Sequence, residues 1–151
     1  MFYTPILIQN RSDMITIGSD MSFTEGGDRL CRFARASLEC AHANDRIILS
    51  QDALDRVVDH AVYHLSDVVD DIRRHANELC PPEVRRTIPN QDAVFQHLEE
   101  DLAYIDLTVI NISRRPNISD DRKVRLIREW LNDEFFPTYV QTAISILRGG
   151  D

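Results

Sequence analysis

No uninterrupted apolar stretch in this sequence approaches the roughly 20 residues that a membrane-spanning helix needs. The opening residues, MFYTPILIQNRSD, also lack the basic start and long apolar run of a signal peptide. Neither a membrane anchor nor secretion is expected. Cysteine is scarce, and Cys31, Cys40 and Cys80 are odd in number without the C-x-x-C spacing of a redox or zinc motif. They read as buried or idle thiols of a reducing, cytoplasmic compartment. Nucleophile chemistry has no support, because there is no G-x-S-x-G elbow, no Gly-rich phosphate loop and no G-x-G-x-x-G. Cys40 and His42 share a helical turn but point about 160° apart, so they do not form a pair. Lysine is almost absent: Lys123 is the only one, and arginine carries the remaining positive charge. The formal charge of −8 argues against general nucleic-acid affinity and for a basic partner.

What the chain does have is helical periodicity. With 151 residues, 43% of them apolar and 28% charged, it matches one ordinary globular domain that can bury a core without staples. From Ser50 to Leu79 there is no Pro or Gly, and Leu54, Val57, Val58, Ala61, Val62, Leu65, Val68, Val69, Ile72, Ala76 and Leu79 recur at helical spacing. This predicts a spine helix on the order of 40 Å long. Gly26-Gly27 reads as a break before a first helix over Asp28 to Ala43, and Cys80-Pro81-Pro82 stops the spine. A third helix is predicted from Asn90 as N-cap to Ser113, with Leu107 and Ile110 on a second packed face. A fourth follows from the Ser119 cap to Phe136, and Pro137 opens a short fifth that Gly149-Gly150 ends. Ser50-Gln51-Asp52-Ala53 and Asn90-Gln91-Asp92-Ala93 read as the same capping chemistry reached twice.

The fold class predicted is all-α, an antiparallel helical bundle of four main helices plus a short C-terminal fifth. Residues 1–18 form a β-prone arm or hairpin, and residues 19–151 form a single bundle domain. A lone hairpin is marginal in water, so the arm is expected either to lie on the bundle or to pair with a second copy in a homodimer.

Three features bear on function. On the spine, His60, His64, Asp67 and Asp71 fall in one stripe beside the apolar face. His60, His64 and Asp67 have the spacing to ligate one divalent metal ion, as an enzyme or sensor would. The plainer reading is a polar shoulder of i, i+3 and i, i+4 pairs, His64 with Asp67 and His75 with Asp71, with no cofactor. Arg114, Arg115, Arg122, Lys123, Arg125 and Arg128 form a basic island around the turn into the fourth helix. A helix-turn-helix would present Arg122 and Arg125 to nucleic acid, but Asp120 and Asp121 stand where base-reading side chains belong. Pairing of these arginines with the acidic spine, or with the acidic face of a second subunit, is the simpler expectation. Lastly, Trp130, Phe135, Phe136 and Tyr139 cluster around Pro137 as core packing or as an anchor for a partner. No catalytic set stands out, so the expected function is a small acidic, non-enzymatic interaction protein of the regulator, adaptor, inhibitor or chaperone type. Asp67, Asp71, Arg122 and Arg125 are its candidate partner-binding residues, and a protein, basic in character, is the expected partner.

Overall fold

The computed structural model describes residues 19–79 and 90–149, and these are all-helical. The arm or hairpin expected over residues 1–18 and the Cys80-Pro81-Pro82 stop lie outside the described residues. Helix α1 spans Ser19–Ala43, α2 Gln51–Leu79, α3 Gln91–Ser113 and α4 Asp120–Trp130. A single π turn, Leu131–Phe135, leads into α5, Phe136–Leu147. Leu131, Phe135 and Phe136 all keep right-handed helical backbone angles, so α4, the π turn and α5 form one continuous rod.

The spine is as periodic as expected. Leu54, Val57, Val58, Ala61, Leu65, Val68, Val69, Ile72 and Ala76 are buried, with Val62 half-buried against them. Helix α1 lies along α2 in opposite chain order. Gly27 sits against Val69, the Cys31 thiol donates to the Val62 carbonyl at 3.8 Å, and Arg35 faces Asp59. Against α3, α1 runs in the same order, Gly26 beside Phe95 and Ser37 beside Asp106. The C-terminal rod runs with α2 (Ser50 beside Asp120, His60 beside Asn132) and against α3, where Asn90 meets Ile146 and His97 meets Tyr139. The rods therefore close around one core in which Leu38, Leu65, Phe95, Leu98, Ile105, Ile127 and Tyr139 are fully enclosed.

Four local readings need correction. Gly26-Gly27 is inside α1 and does not precede it, because the missing side chains let α1 approach Phe95 and Val69. Asn90 adopts a left-handed conformation (φ 59°) and its side chain makes no cap; it donates instead to the Ile146 carbonyl at the end of α5. Ser50 and Ser119 do cap, accepting from Ala53 N and Arg122 N. The two look-alike tetrapeptides thus begin their helices by different chemistry. Leu107 is about half exposed (51%), so the second face of α3 does not pack there. Among the thiols, Cys31 is half-buried and Cys40 is exposed.

The connector between α1 and α2 explains much of the basic island. Its backbone groups are satisfied by side chains from the α3–α4 corner. The Arg114 guanidinium donates to the Asp45 and Arg46 carbonyls, and Lys123 Nζ donates to the Ile48 carbonyl at 3.2 Å. Ser113 Oγ accepts from Ile48 N, and Asp120 accepts from Ser50 N at 2.9 Å. Those last contacts hold the Asp120 carboxyl below the usual carboxylate range. The expected arginine-to-spine pairing is reversed in sense, since the spine's own Arg56 reaches Asp121 at the start of α4 while also pairing with Asp52 one turn back on the spine.

At the α1–α3 seam, the Ser37 hydroxyl donates to Asp106, and burial pushes that carboxyl up despite the bond. A carboxyl raised on folding opposes the fold once pH exceeds its unfolded value. Asp106→Asn keeps an acceptor for Ser37 and removes the buried charge. The variant should melt higher than the wild type at about pH 7, with the gap closing toward about pH 3, where both side chains are neutral. Thermal melts across that range check it; a lower melting temperature at neutral pH would show that the charge is needed.

Candidate functional site

The site begins with Pro137. A proline has no N–H to donate and its ring crowds the carbonyl four residues back, so a regular α-helix cannot pass through it unchanged. The chain responds one turn earlier: Phe136 N donates to Leu131 O, five residues back, which defines the π turn. A π turn inserts one extra residue and rotates the remainder of the rod by about 100° relative to an uninterrupted helix. Leu131, Phe135 and Phe136 are all buried, while Asn132 is turned toward α2.

Asn132 meets the spine at His60, whose Nε2–H donates to Asn132 Oδ1 at 3.0 Å. Desolvation lowers the His60 pKa, His64 and Arg128 lower it further, and the Asn132 bond opposes them. The neutral ring is therefore favoured. One turn on, the His64 ring lies 4.3 Å from His60 and 6.3 Å from Phe136, tilted 38° to the latter.

Beyond these rings, α2 and the C-terminal rod border a groove of about 700 Å³. Val68, Phe136, Pro137 and Val140 supply apolar surface. Polar groups come from His64, Asp67, Asp70, Asp71 and Arg74 on one wall and Asn132 and Gln141 on the other. Asp71 is bound by Arg74 at 2.7 Å, and Arg73 stands 3.8 Å from Asp70. Asp67 is exposed and, among the described residues, accepts no hydrogen bond or ion pair. The groove's carboxylates outnumber its one arginine, so it presents negative charge over an apolar floor.

Of the residues singled out from sequence, His64, Asp67 and Asp71 line this groove, and His60 packs beside His64 without lining it. They are not gathered as a ligand set: among the described residues no group of three or more His, Cys, Asp or Glu is placed to hold a metal ion. His60 is turned to Asn132, while His64 packs on rings and has no bond to Asp67. The polar-shoulder pairing also changes, since His75 Nδ1 donates to the Asp71 backbone carbonyl and Arg74 takes the carboxylate. Arg122 and Arg125 are exposed on α4, away from the groove. Sequence reasoning names Phe136 only within the aromatic cluster around Pro137 and misses Asn132, Val140 and Gln141, so the second wall as such goes unseen. Its one signal is the helical spacing of Asn132, Phe136 and Val140 beside a proline.

The opposite side of the π turn carries a smaller hollow of about 320 Å³, with Tyr104 and Thr108 of α3 facing Trp130, Glu134 and Thr138. Behind it Tyr139 is buried, its hydroxyl donating to the Leu98 carbonyl, and the surrounding apolar environment drives that phenol's pKa well up. Its own carbonyl accepts from His97 Nε2 at 3.1 Å, and the other ring nitrogen of His97 faces Asp101. These groups are committed to holding α3 against the rod. The aromatic cluster is thus mainly core, with Trp130 at its rim. Among the described residues no helix is long and apolar enough to cross a membrane. No family model, curated protein or solved structure matches the chain.

Proposed function

We propose that the chain is a non-enzymatic protein-protein interaction module whose partner is basic and docks in the α2–α5 groove. The observation that carries this reading is the groove itself: an apolar floor, an acidic wall and, at its edge, an Asp67 with no hydrogen-bond or ion-pair partner among the described residues. Interfaces combine such an apolar centre with complementary charge at the rim, and a net charge of −8 steers a cationic partner toward the surface. The exposed Tyr104 and Leu107 offer a second contact face on α3. In this reading the fold is a bundle in which α1 with α2, and α3 with the C-terminal rod, form antiparallel pairs. The exposed thiol of Cys40 fits action in the reducing cytoplasm.

The test is capture of partners on the tagged chain at moderate salt, comparing wild type with Asp67→Lys/Asp71→Lys and with Asp92→Lys, an exposed acid at the start of α3. One near-stoichiometric protein, lost with the double variant and kept with Asp92→Lys, is the expected result. Retention by the double variant places the interface elsewhere. Capture of nothing by the folded wild type rejects the module reading.

A further inference from the structure

Resting on the interaction reading above, we propose that the groove recognises arginine, taking a guanidinium side chain from a basic segment of the partner protein. The groove separates the two halves of such a side chain in space. Val68, Phe136, Pro137 and Val140 offer apolar surface that suits a three-carbon stem, and the carboxylates stand at the rim where the head would emerge.

The three acids do not contribute alike. Asp71 and Asp70 already face Arg74 and Arg73, so they hold the local field negative while their oxygens are partly engaged. Asp67 has both carboxylate oxygens unclaimed among the described residues, which is what a two-pronged guanidinium bond requires. The side-chain amide of Gln141, from the other wall, adds an acceptor oxygen within the same hollow.

The rings select arginine over lysine. His64 and Phe136 stand 6.3 Å apart with planes inclined by 38°, and both line the groove. Phe136 is buried (6% exposed) and backs the half-buried His64 ring, and it is on His64 that a flat, weakly hydrated guanidinium stacks, whereas an ammonium is a compact, strongly hydrated point charge that gains less there. The bond from His60 to Asn132 and the contact between the two imidazoles hold the His64 ring in place from behind. A hollow of about 700 Å³ exceeds one side chain, so neighbouring residues of the segment fit as well.

The test uses capped hexaarginine and hexalysine peptides against the full chain, with affinity from fluorescence anisotropy and location from amide chemical shifts. Hexaarginine should bind more tightly than hexalysine, with shifts concentrated at His64, Asp67, Asn132 and Gln141. Asp67→Asn should weaken hexaarginine roughly tenfold, the loss of one charge-assisted hydrogen bond. Asp92→Asn removes the same charge elsewhere and should change it less than about twofold, as a screened rim charge does. Equal affinity for both peptides at the groove overturns arginine recognition and leaves the basic-partner reading standing. Shifts scattered over the surface, or equal losses from Asp67→Asn and Asp92→Asn, reduce the binding to general charge attraction and overturn the site. Absence of binding by either peptide at low salt overturns both readings.

Discussion

Gly26→Ala should destabilise the protein by roughly 1–3 kcal/mol, although alanine is the better helix former by about 1 kcal/mol. On an open helix face the second effect decides and the substitution stabilises. Here a Cβ at position 26 would overlap the ring carbons Cε1 and Cζ of Phe95, and that ring is only 1% exposed and cannot swing away. At Gly27 a Cβ would come within 2.9 Å of Val69 Cγ1, a milder conflict with a branched side chain on the spine. The sign of the change therefore reports how closely α1 rides on its neighbours. Urea titration measures it, with an unchanged slope showing that the unfolded state is not the cause. The double variant Gly26→Ala/Phe95→Leu should recover part of the loss relative to the sum of the single changes. A stabilised Gly26→Ala would mean that α1 does not pack as closely as described.

The second large effect is expected at Lys123. Its side chain is 9% exposed, with Nζ donating to the Ile48 carbonyl and 3.9 Å from Asp120. Lys123→Glu would bury a carboxylate against a carbonyl oxygen and a second acid, a loss on the order of 3–5 kcal/mol and a large share of an ordinary domain's stability. Lys123→Met keeps the stem's packing and leaves the Ile48 carbonyl short of a partner, costing about 1–3 kcal/mol. Acidification should partly rescue the glutamate variant. A buried carboxyl has a folded pKa above its unfolded one, so its penalty grows as pH rises through the unfolded value near 4.3 and shrinks as pH falls. Circular dichroism melts of the three proteins against pH check the order; a Lys123→Glu protein as stable as wild type would show that the corner is open to water.

These two positions also mark where sequence reasoning reaches its limit. Periodicity makes α2 and α3 legible, because burial of Leu54 through Ala76 and of Val94 through Ile112 follows directly from spacing. Gly26-Gly27 misleads because a glycine chosen for its freedom and one chosen for its small size look the same without the neighbour that explains it. Lys123 looks like one of six solvated cations until the carbonyl it serves, on a connector 75 residues away in sequence, is in view. The groove is half legible. Its α2 wall is a stripe on one helix, visible in the spacing of His60, His64 and Asp67, whereas the facing wall depends on a π turn that shifts the phase of every later residue. Pro137 announces an interruption but not that the rod continues through it.

Lys123 is the chain's one side-chain amine, and folding covers most of it and engages one of its three N–H donors. Reagents and enzymes that acylate lysine thus meet a single, largely covered side-chain target in the native protein. Efficient acylation at Lys123 is expected to wait for α4 to lift from the α1–α2 connector. The molecule thereby carries an internal clock for that opening, a single amine whose rate of modification counts how often the corner comes apart.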